Sequence, residues 1–220
     1  MLYDLVAVLM GPVARWGRLR TEGLELVPPE GPLLVVANHD SQWDPILVGL
    51  AIRPNRRLRF LARASLWRIP GLGPILDGMN QIPIKRGAGD AAALDQAVEA
   101  LRAGQSICVF PEGGLSWGER LRARSGAGRL ALRCPEAQVV LCAVEGATEY
   151  VRFPRRPRVR VTFFRPATGD PQPGEEAPVL AARLLDEIRD RVAPSPAGRR
   201  ALVGGPPRVR RKAASRASRS

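Results

Sequence analysis

The sequence predicts an α/β domain over residues 23–195, with a mostly parallel or mixed central sheet flanked by helices. Three observations predict it. Short apolar runs bounded by turn residues alternate with longer stretches of helical periodicity, a pattern of strand–helix–strand units rather than of a bundle or sandwich. At 220 residues and 45% apolar content the chain can fill one large core. The glycine-rich and polar segments fall just beyond the strand-like runs, where sheets of this class carry their working groups.

The first segment, residues 1–22, is set apart. Leu5 to Met10 is apolar, then come Gly11 and Pro12, then Arg15, Trp16, Arg18 and Arg20. The apolar stretch is shorter than the roughly 20 residues of a spanning helix. Apolar residues beside a tryptophan and arginines suit a helix lying in a bilayer interface. They also suit a helix packed on the core, and both readings stay open. Met1-Leu2-Tyr3-Asp4 offers no basic leader or cleavage site, so no signal peptide is expected.

Leu33 to Ala37 (LLVVA) reads as a buried strand, followed by a helix from Pro45 to Ile52 with Asp44 before it. Leu58 to Ala62 is a second strand. Ser65 to Gly78 holds a short helix interrupted by Pro70, Gly71, Gly73 and Pro74. Gln81 to Ile84 is a third strand, and Asp90 caps a helix from Ala91 to Ala103 that Gly104 ends. Ser106 to Phe110 and Val139 to Val144 are buried strands separated by a helix over Ala127 to Arg133. Arg158 to Phe164 alternates as a strand facing solvent on one side. Val179 to Val192 is an amphipathic helix, after which Pro194 and Pro196 open a tail over residues 196–220.

Charge separates the tail from the body. Lys and Arg number 34 against 21 Asp and Glu, a net +13. Arg199, Arg200, Arg208, Arg210, Arg211, Lys212, Arg216 and Arg219 supply eight positive charges with no acid among them, which leaves the rest at +5. A basic surface seeks nucleic acid or anionic lipid. The tail has no aromatic residue to stack on bases, so an electrostatic tether to an anionic membrane is expected and no nucleic-acid partner is. A solvated tail that aids solubility is the other reading. Cys108, Cys134 and Cys142 are far apart and lack metal spacing, and two lie in strand-like runs; buried thiols in a reducing compartment are expected, and no metal.

The chain has one histidine. It follows the first buried strand, in Asn38-His39-Asp40-Ser41-Gln42-Trp43-Asp44-Pro45. An aspartate five residues on, at a helix start, can orient the imidazole, fix its tautomer and stabilise the imidazolium formed when it takes a proton. That equips the ring to activate a weak hydroxyl. Asp44-Pro45 is equally an ordinary helix start, with Asp as N-cap and Pro in the first turn. Lys85 and Arg86 stand before Gly87-Ala88-Gly89 and the helix capped by Asp90. Bases beside a glycine turn and a helix N-terminus suit a phosphate, or are plain surface charges. Glu112 leaves a strand into Gly113-Gly114, where the backbone can approach a ligand, with Pro111 stiffening the turn. Ser116 and Glu119 have capping-box spacing and read as structural. No phosphate-binding Gly-Lys loop, dinucleotide loop or Gly-x-Ser-x-Gly elbow is present.

Four blocks in order resemble the glycerophospholipid acyltransferase family, nearest to its 1-acylglycerol-3-phosphate acyltransferases. They are Asn38-His39 with Asp44; Gly78, Ile82, Ile84 and Arg86; Phe110-Pro111-Glu112-Gly113; and the buried strand Val140 to Gly146. The likeness runs from about Gly23 to Phe164. It departs at Gly114, where threonine is usual, at Leu141, where proline is usual, and at Lys85, which replaces a frequent acid. The resemblance implies an O-acyltransferase at the cytoplasmic face of a membrane, peripheral or monotopic. The acyl donor would be acyl-CoA or acyl carrier protein, as co-substrate, with no other cofactor. The acceptor would be a lysophospholipid, 1-acylglycerol-3-phosphate first, and the product phosphatidic acid. By likeness His39 is the base and Asp44 its partner, with no acyl-enzyme. Asn38, Lys85, Arg86, Phe110, Pro111, Glu112, Gly113 and Gly114 bind substrate, Arg86 taking the acceptor phosphate and Glu112 a glycerol hydroxyl or Arg86. Arg124 and Ser125 are candidates for a phosphate or CoA contact. Another lysolipid, a lipid-linked sugar, or a non-catalytic lipid-binding role are the competing readings.

Overall fold

A computed structural model describes residues 2–85, 90–117, 119–152, 154, 156–172 and 174–193. Seven strands form one sheet in the order β1-β7-β6-β2-β5-β3-β4. They are β1 (Arg20–Glu22), β2 (Leu33–Ala37), β3 (Leu58–Arg63), β4 (Ile82–Ile84), β5 (Ser106–Val109), β6 (Gln138–Glu145) and β7 (Arg160–Phe164). All neighbours run parallel except β6 and β7. The helices are α1 (Leu2–Trp16), α2 (Asp44–Ile52), α3 (Leu72–Gly78), α4 (Ala91–Arg102), α5 (Gly126–Arg133) and α6 (Ala177–Arg191). The expected α/β class, with a mixed sheet between helices, is what the structure shows.

The central strands are apolar at every position because both faces of the sheet are covered. Alternation then sends successive residues to opposite layers. Leu34, Val36, Ile107, Val109, Val139 and Leu141 pack with α4, α5 and α6, while Leu33, Val35, Ala37, Cys108, Val140 and Cys142 pack with α2. Leu141 is paired on both sides, with Val36 and Phe164. A proline there would bring no N–H to the ladder, so leucine suits a strand in this position.

One expectation needed revision. Arg20–Glu22, assigned from sequence to the N-terminal segment, is an edge strand parallel to β7; its three exposed polar residues carry no apolar signal. Ser116, read as structural, lies outside the helices, the next of which begins at Gly126. The Ser116 hydroxyl is engaged elsewhere, with Asp40 and Arg189.

Helix α1 packs on the domain along one side. Tyr3 and Ala7 are buried, the Tyr3 hydroxyl accepting from Leu58 N–H at 3.4 Å, and Asp4 pairs with Arg53 and Arg57 at 3.4 and 2.7 Å. Leu2 lies against Gly78, where an added Cβ would sit 2.3 Å from its Cδ2. The other side exposes Leu5, Val8 and Leu9 by 54%, 67% and 60%. Among the described residues no helix is long and apolar enough to cross a membrane.

Helices α5 and α6 meet at Gly128, where a Cβ would stand 2.0 Å from the Ala177 carbonyl oxygen. That atom is backbone and cannot swing aside. Gly128→Ala is therefore expected to destabilise the fold by about 1–3 kcal/mol, despite alanine's better helix propensity. Urea unfolding checks this; an unchanged midpoint would mean the helices separate at little cost.

Candidate active site

Strand β2 leads to α2 on one face of the sheet, and its neighbour β5 leads to α5 on the other. Where adjacent strands send their connections to opposite sides, a crevice opens beyond their C-terminal ends. His39 follows β2 there, and Phe110 to Gly114 follows β5.

The His39 Nδ1 lies 3.2 Å from Asp44 Oδ2. The same oxygen accepts from Ser41 N–H at 2.7 Å. Asp44 therefore does not cap α2 through its side chain as an ordinary helix start would; the helix begins with no side-chain cap, and the carboxylate turns back to the loop. A carboxylate facing Nδ1 makes that nitrogen the proton carrier and leaves the Nε2 lone pair free. Burial pushes the fully buried Asp44 carboxyl up from its ordinary range, against the pull of His39 and Ser41 N–H. Its charge thus gains most when the ring beside it becomes cationic. The His39 side chain is 14% exposed. Its ring stacks on Phe110, centroids 4.3 Å apart and planes 21° apart, and Phe110 continues the stack to Phe60 at 6.0 Å. Phe110, assigned by resemblance to substrate, forms a wall for the imidazole.

Asn38 is fully buried. Its Nδ2 donates to Asp40 Oδ2 (3.0 Å) and the Val144 carbonyl (2.9 Å), and its Oδ1 accepts from Val144 N–H (2.7 Å). Those bonds staple the end of β2 to β6, and occupy an amide that the resemblance would give to substrate.

Glu112 is held from within the fold. Its side chain is fully buried and meets Arg189 of α6. The same guanidinium donates to Asp40 Oδ2 and Oδ1 at 3.0 and 2.8 Å and to Ser116 Oγ at 2.8 Å. Ser116 N–H donates to the His39 carbonyl at 2.8 Å. Burial opposes the charge on Asp40, but hydrogen bonds from Arg189, Ser116 and Asn38 outweigh it and hold the carboxyl below the aspartate range. Glu112 goes the other way, pushed up by burial against the attraction of Arg189. Sequence reasoning missed Asp40, Ser116 and Arg189 as members of this cluster. Arg189 left one signal: it lies on the stripe Leu180, Ala181, Leu184, Leu185, Ile188, where the helical period calls for an apolar residue.

Pro111 is buried, and its carbonyl accepts from Arg124 N–H at 2.8 Å. Gly113 turns the chain at φ 65°, a conformation that favours glycine, and its Cα faces the Arg124 side chain, where a Cβ would stand 2.3 Å from Cδ. Gly114 continues the turn, partly buried. Arg124 thus crosses the turn after β5. Lys85 is exposed; its main-chain N–H donates to Asp90 Oδ2 at 2.8 Å, while Asp90 Oδ1 accepts from Ala93 N–H at 3.2 Å and caps α4. Arg86, with Gly87 to Gly89, lies outside the described residues. Among the described residues no three His, Cys, Asp or Glu side chains are grouped to hold a metal ion.

A family model described as Acyltransferase matches residues 18–145, which include His39, Asp44 and the Phe110–Gly114 turn. The chain belongs to the acyltransferase family. Among its relatives is a lyso-ornithine lipid O-acyltransferase of Pseudomonas aeruginosa, 37% identical over 114 residues that cover 51% of this chain and 42% of that protein. A 1-acyl-sn-glycerol-3-phosphate acyltransferase of Borreliella burgdorferi is 31% identical, over 50% of this chain and 45% of the other. Each match spans less than half of the relative's length. The crystal structure of the 1-acyl-sn-glycerophosphate acyltransferase PlsC from Thermotoga maritima superposes with a TM-score of 0.64 over 87% of this chain and 81% of the other, at 23% identity, and so shares the fold.

Proposed function

We propose that the protein transfers an acyl group from an acyl thioester, acyl-CoA or acyl carrier protein, to the free hydroxyl of a lysolipid. The observation that carries this is the Nδ1–Oδ2 pairing of His39 with buried Asp44 at the crevice. His39 Nε2 takes the proton from the acceptor hydroxyl as its oxygen attacks the thioester carbonyl. The tetrahedral intermediate collapses to the ester and expels the thiolate, which recovers the proton from the imidazolium. Asp44 stabilises that imidazolium between the two steps.

Lysophosphatidic acid is the leading acceptor, with Lys85, Arg86 and Arg124 as the cationic groups for its phosphate. The more similar P. aeruginosa relative favours a second reading, in which the acceptor is a lyso-ornithine lipid. Purified protein incubated with labelled acyl-CoA and a panel of lysolipids, with products identified by mass, separates the two. No product from any acceptor, with acyl carrier protein also tried as carrier, would sink the reading.

A peripheral membrane position follows from α1. Its Leu5, Val8 and Leu9 are exposed, and Asp4 of the same helix draws in the basic Arg53 and Arg57. Val8→Asp with Leu9→Asp is expected to weaken binding to anionic vesicles by about tenfold or more, because each removes apolar area worth ~1 kcal/mol or more and adds a repelled charge. Flotation with vesicles checks this, and unchanged binding at low salt would place the contact elsewhere.

A further inference from the structure

The Asp40, Glu112, Ser116 and Arg189 cluster is buried, charged, and not used in the chemistry above. Its cation comes from α6, outside the matched stretch 18–145. Helix attachment alone does not account for it. Leu180, Leu184, Leu185 and Ile188 already bury the inner face of α6, and a further apolar residue would attach the helix at least as well as a buried ion cluster.

What the cluster does touch is the loop after β2 that carries His39 and the loop after β5 that carries Phe110. Asp40 is the next residue, and both its oxygens receive the Arg189 fork. Ser116 takes a third bond from Arg189 on its hydroxyl while its N–H holds the His39 carbonyl. Glu112 is two residues beyond Phe110, on which the imidazole stacks. On the other flank Asn38 is fastened to β6 and to Asp40. One planar guanidinium therefore spans the loop after β2 and the loop after β5, the two loops that together hold the ring.

We propose that Arg189 is a positioning residue that locks these two loops to each other, so that His39 keeps Nδ1 on Asp44 and presents Nε2 to the acceptor. By the same geometry Glu112 serves as an anchor for Arg189 and not as an acceptor ligand. The inference rests on the acyl-transfer reading only for its kinetic consequence. Lysine keeps the charge but cannot span the loops with a fork.

The test uses the full chain and the fact that it has one histidine, so imidazole ¹⁵N signals belong to His39 alone. Long-range ¹H–¹⁵N correlation is expected to show the Nδ1–H tautomer in the native protein and a mixture of tautomers in Arg189→Lys. The kcat of that variant should fall by about 10- to 100-fold, the cost of a small misplacement of a reacting group. Both substrate KM values should stay within about twofold, since Arg189 is buried. Asp40→Asn, which keeps the shape of the cluster, should shift the tautomer in the same direction and to a smaller degree; it decides the matter if Arg189→Lys fails to fold by near-UV circular dichroism. An unchanged His39 tautomer in the folded variants overturns the proposal, as does an acceptor KM that rises at constant kcat. The spectra need no substrate, so absence of acyl transfer from the native protein would remove the functional reading and leave the tautomer result standing.

Discussion

His39→Ala is expected to lower kcat for acyl transfer by about 10²- to 10⁴-fold, the usual contribution of a positioned general base. Other groups near the crevice are poorly suited to take over. The chain has no second histidine. Asp40 is committed to Arg189, Ser116 and Asn38, and Glu112 is buried against Arg189. The fold should survive, because the ring belongs to a loop beyond β2 and to neither of the two core clusters. His39→Gln adds a control: its amide can still donate to Asp44 but cannot accept a proton at the ring's Nε2 position. Both variants should melt within a few degrees of the native protein and bind vesicles as before. Turnover near the native rate in either would remove the proposed mechanism.

Asp44→Asn should have the second largest effect, about 10²-fold or more in kcat, and for a different reason. The amide can donate to Nδ1 and so turn the ring to the tautomer whose Nε2 already holds a proton. It also offers no charge to the imidazolium. Stability should move in a way that separates this from damage to the fold. Burial raises the Asp44 carboxyl, so between the ordinary aspartate value and its raised value the folded protein holds a proton that the unfolded chain has released. Stability from this group is therefore lost as pH rises through that window. Asparagine has no such loss, and denaturant midpoints at several pH values should show the native protein falling relative to the variant. A variant that loses stability in parallel with activity would instead mark Asp44 as a structural residue.

The sheet was legible because its central strands are uniformly apolar and set off by turns, as Leu33–Ala37 and Gln138–Glu145 show. Strand β1 was not, because a three-residue edge with both faces exposed selects no hydrophobic pattern. The His39–Asp44 pairing was legible as spacing, while the competing capping role was settled only by the backward turn of the carboxylate to Ser41. Glu112 was found as a residue that matters, but its partner was not. An arginine 77 positions away in a helix of alternating polarity announces no contact; only tertiary packing brings α6 over the two loops. The Asn38 bonds to β6 were hidden for a related reason, since a side chain that bonds main-chain groups of a neighbouring strand has no local signature.

The origin of Arg189 has a consequence for the order of assembly on the ribosome. Asp40 and Glu112 emerge early, and their counter-ion emerges last among the described elements. Until α6 docks, a nascent chain already holding His39 and Asp44 must leave two acids in water or protonated, with the Ser116 bonds to Asp40 and to the His39 carbonyl left to join their loops. A fragment cut after Gly146 would thus contain all four recognised blocks and still lack the cation that Asp40 and Glu112 share.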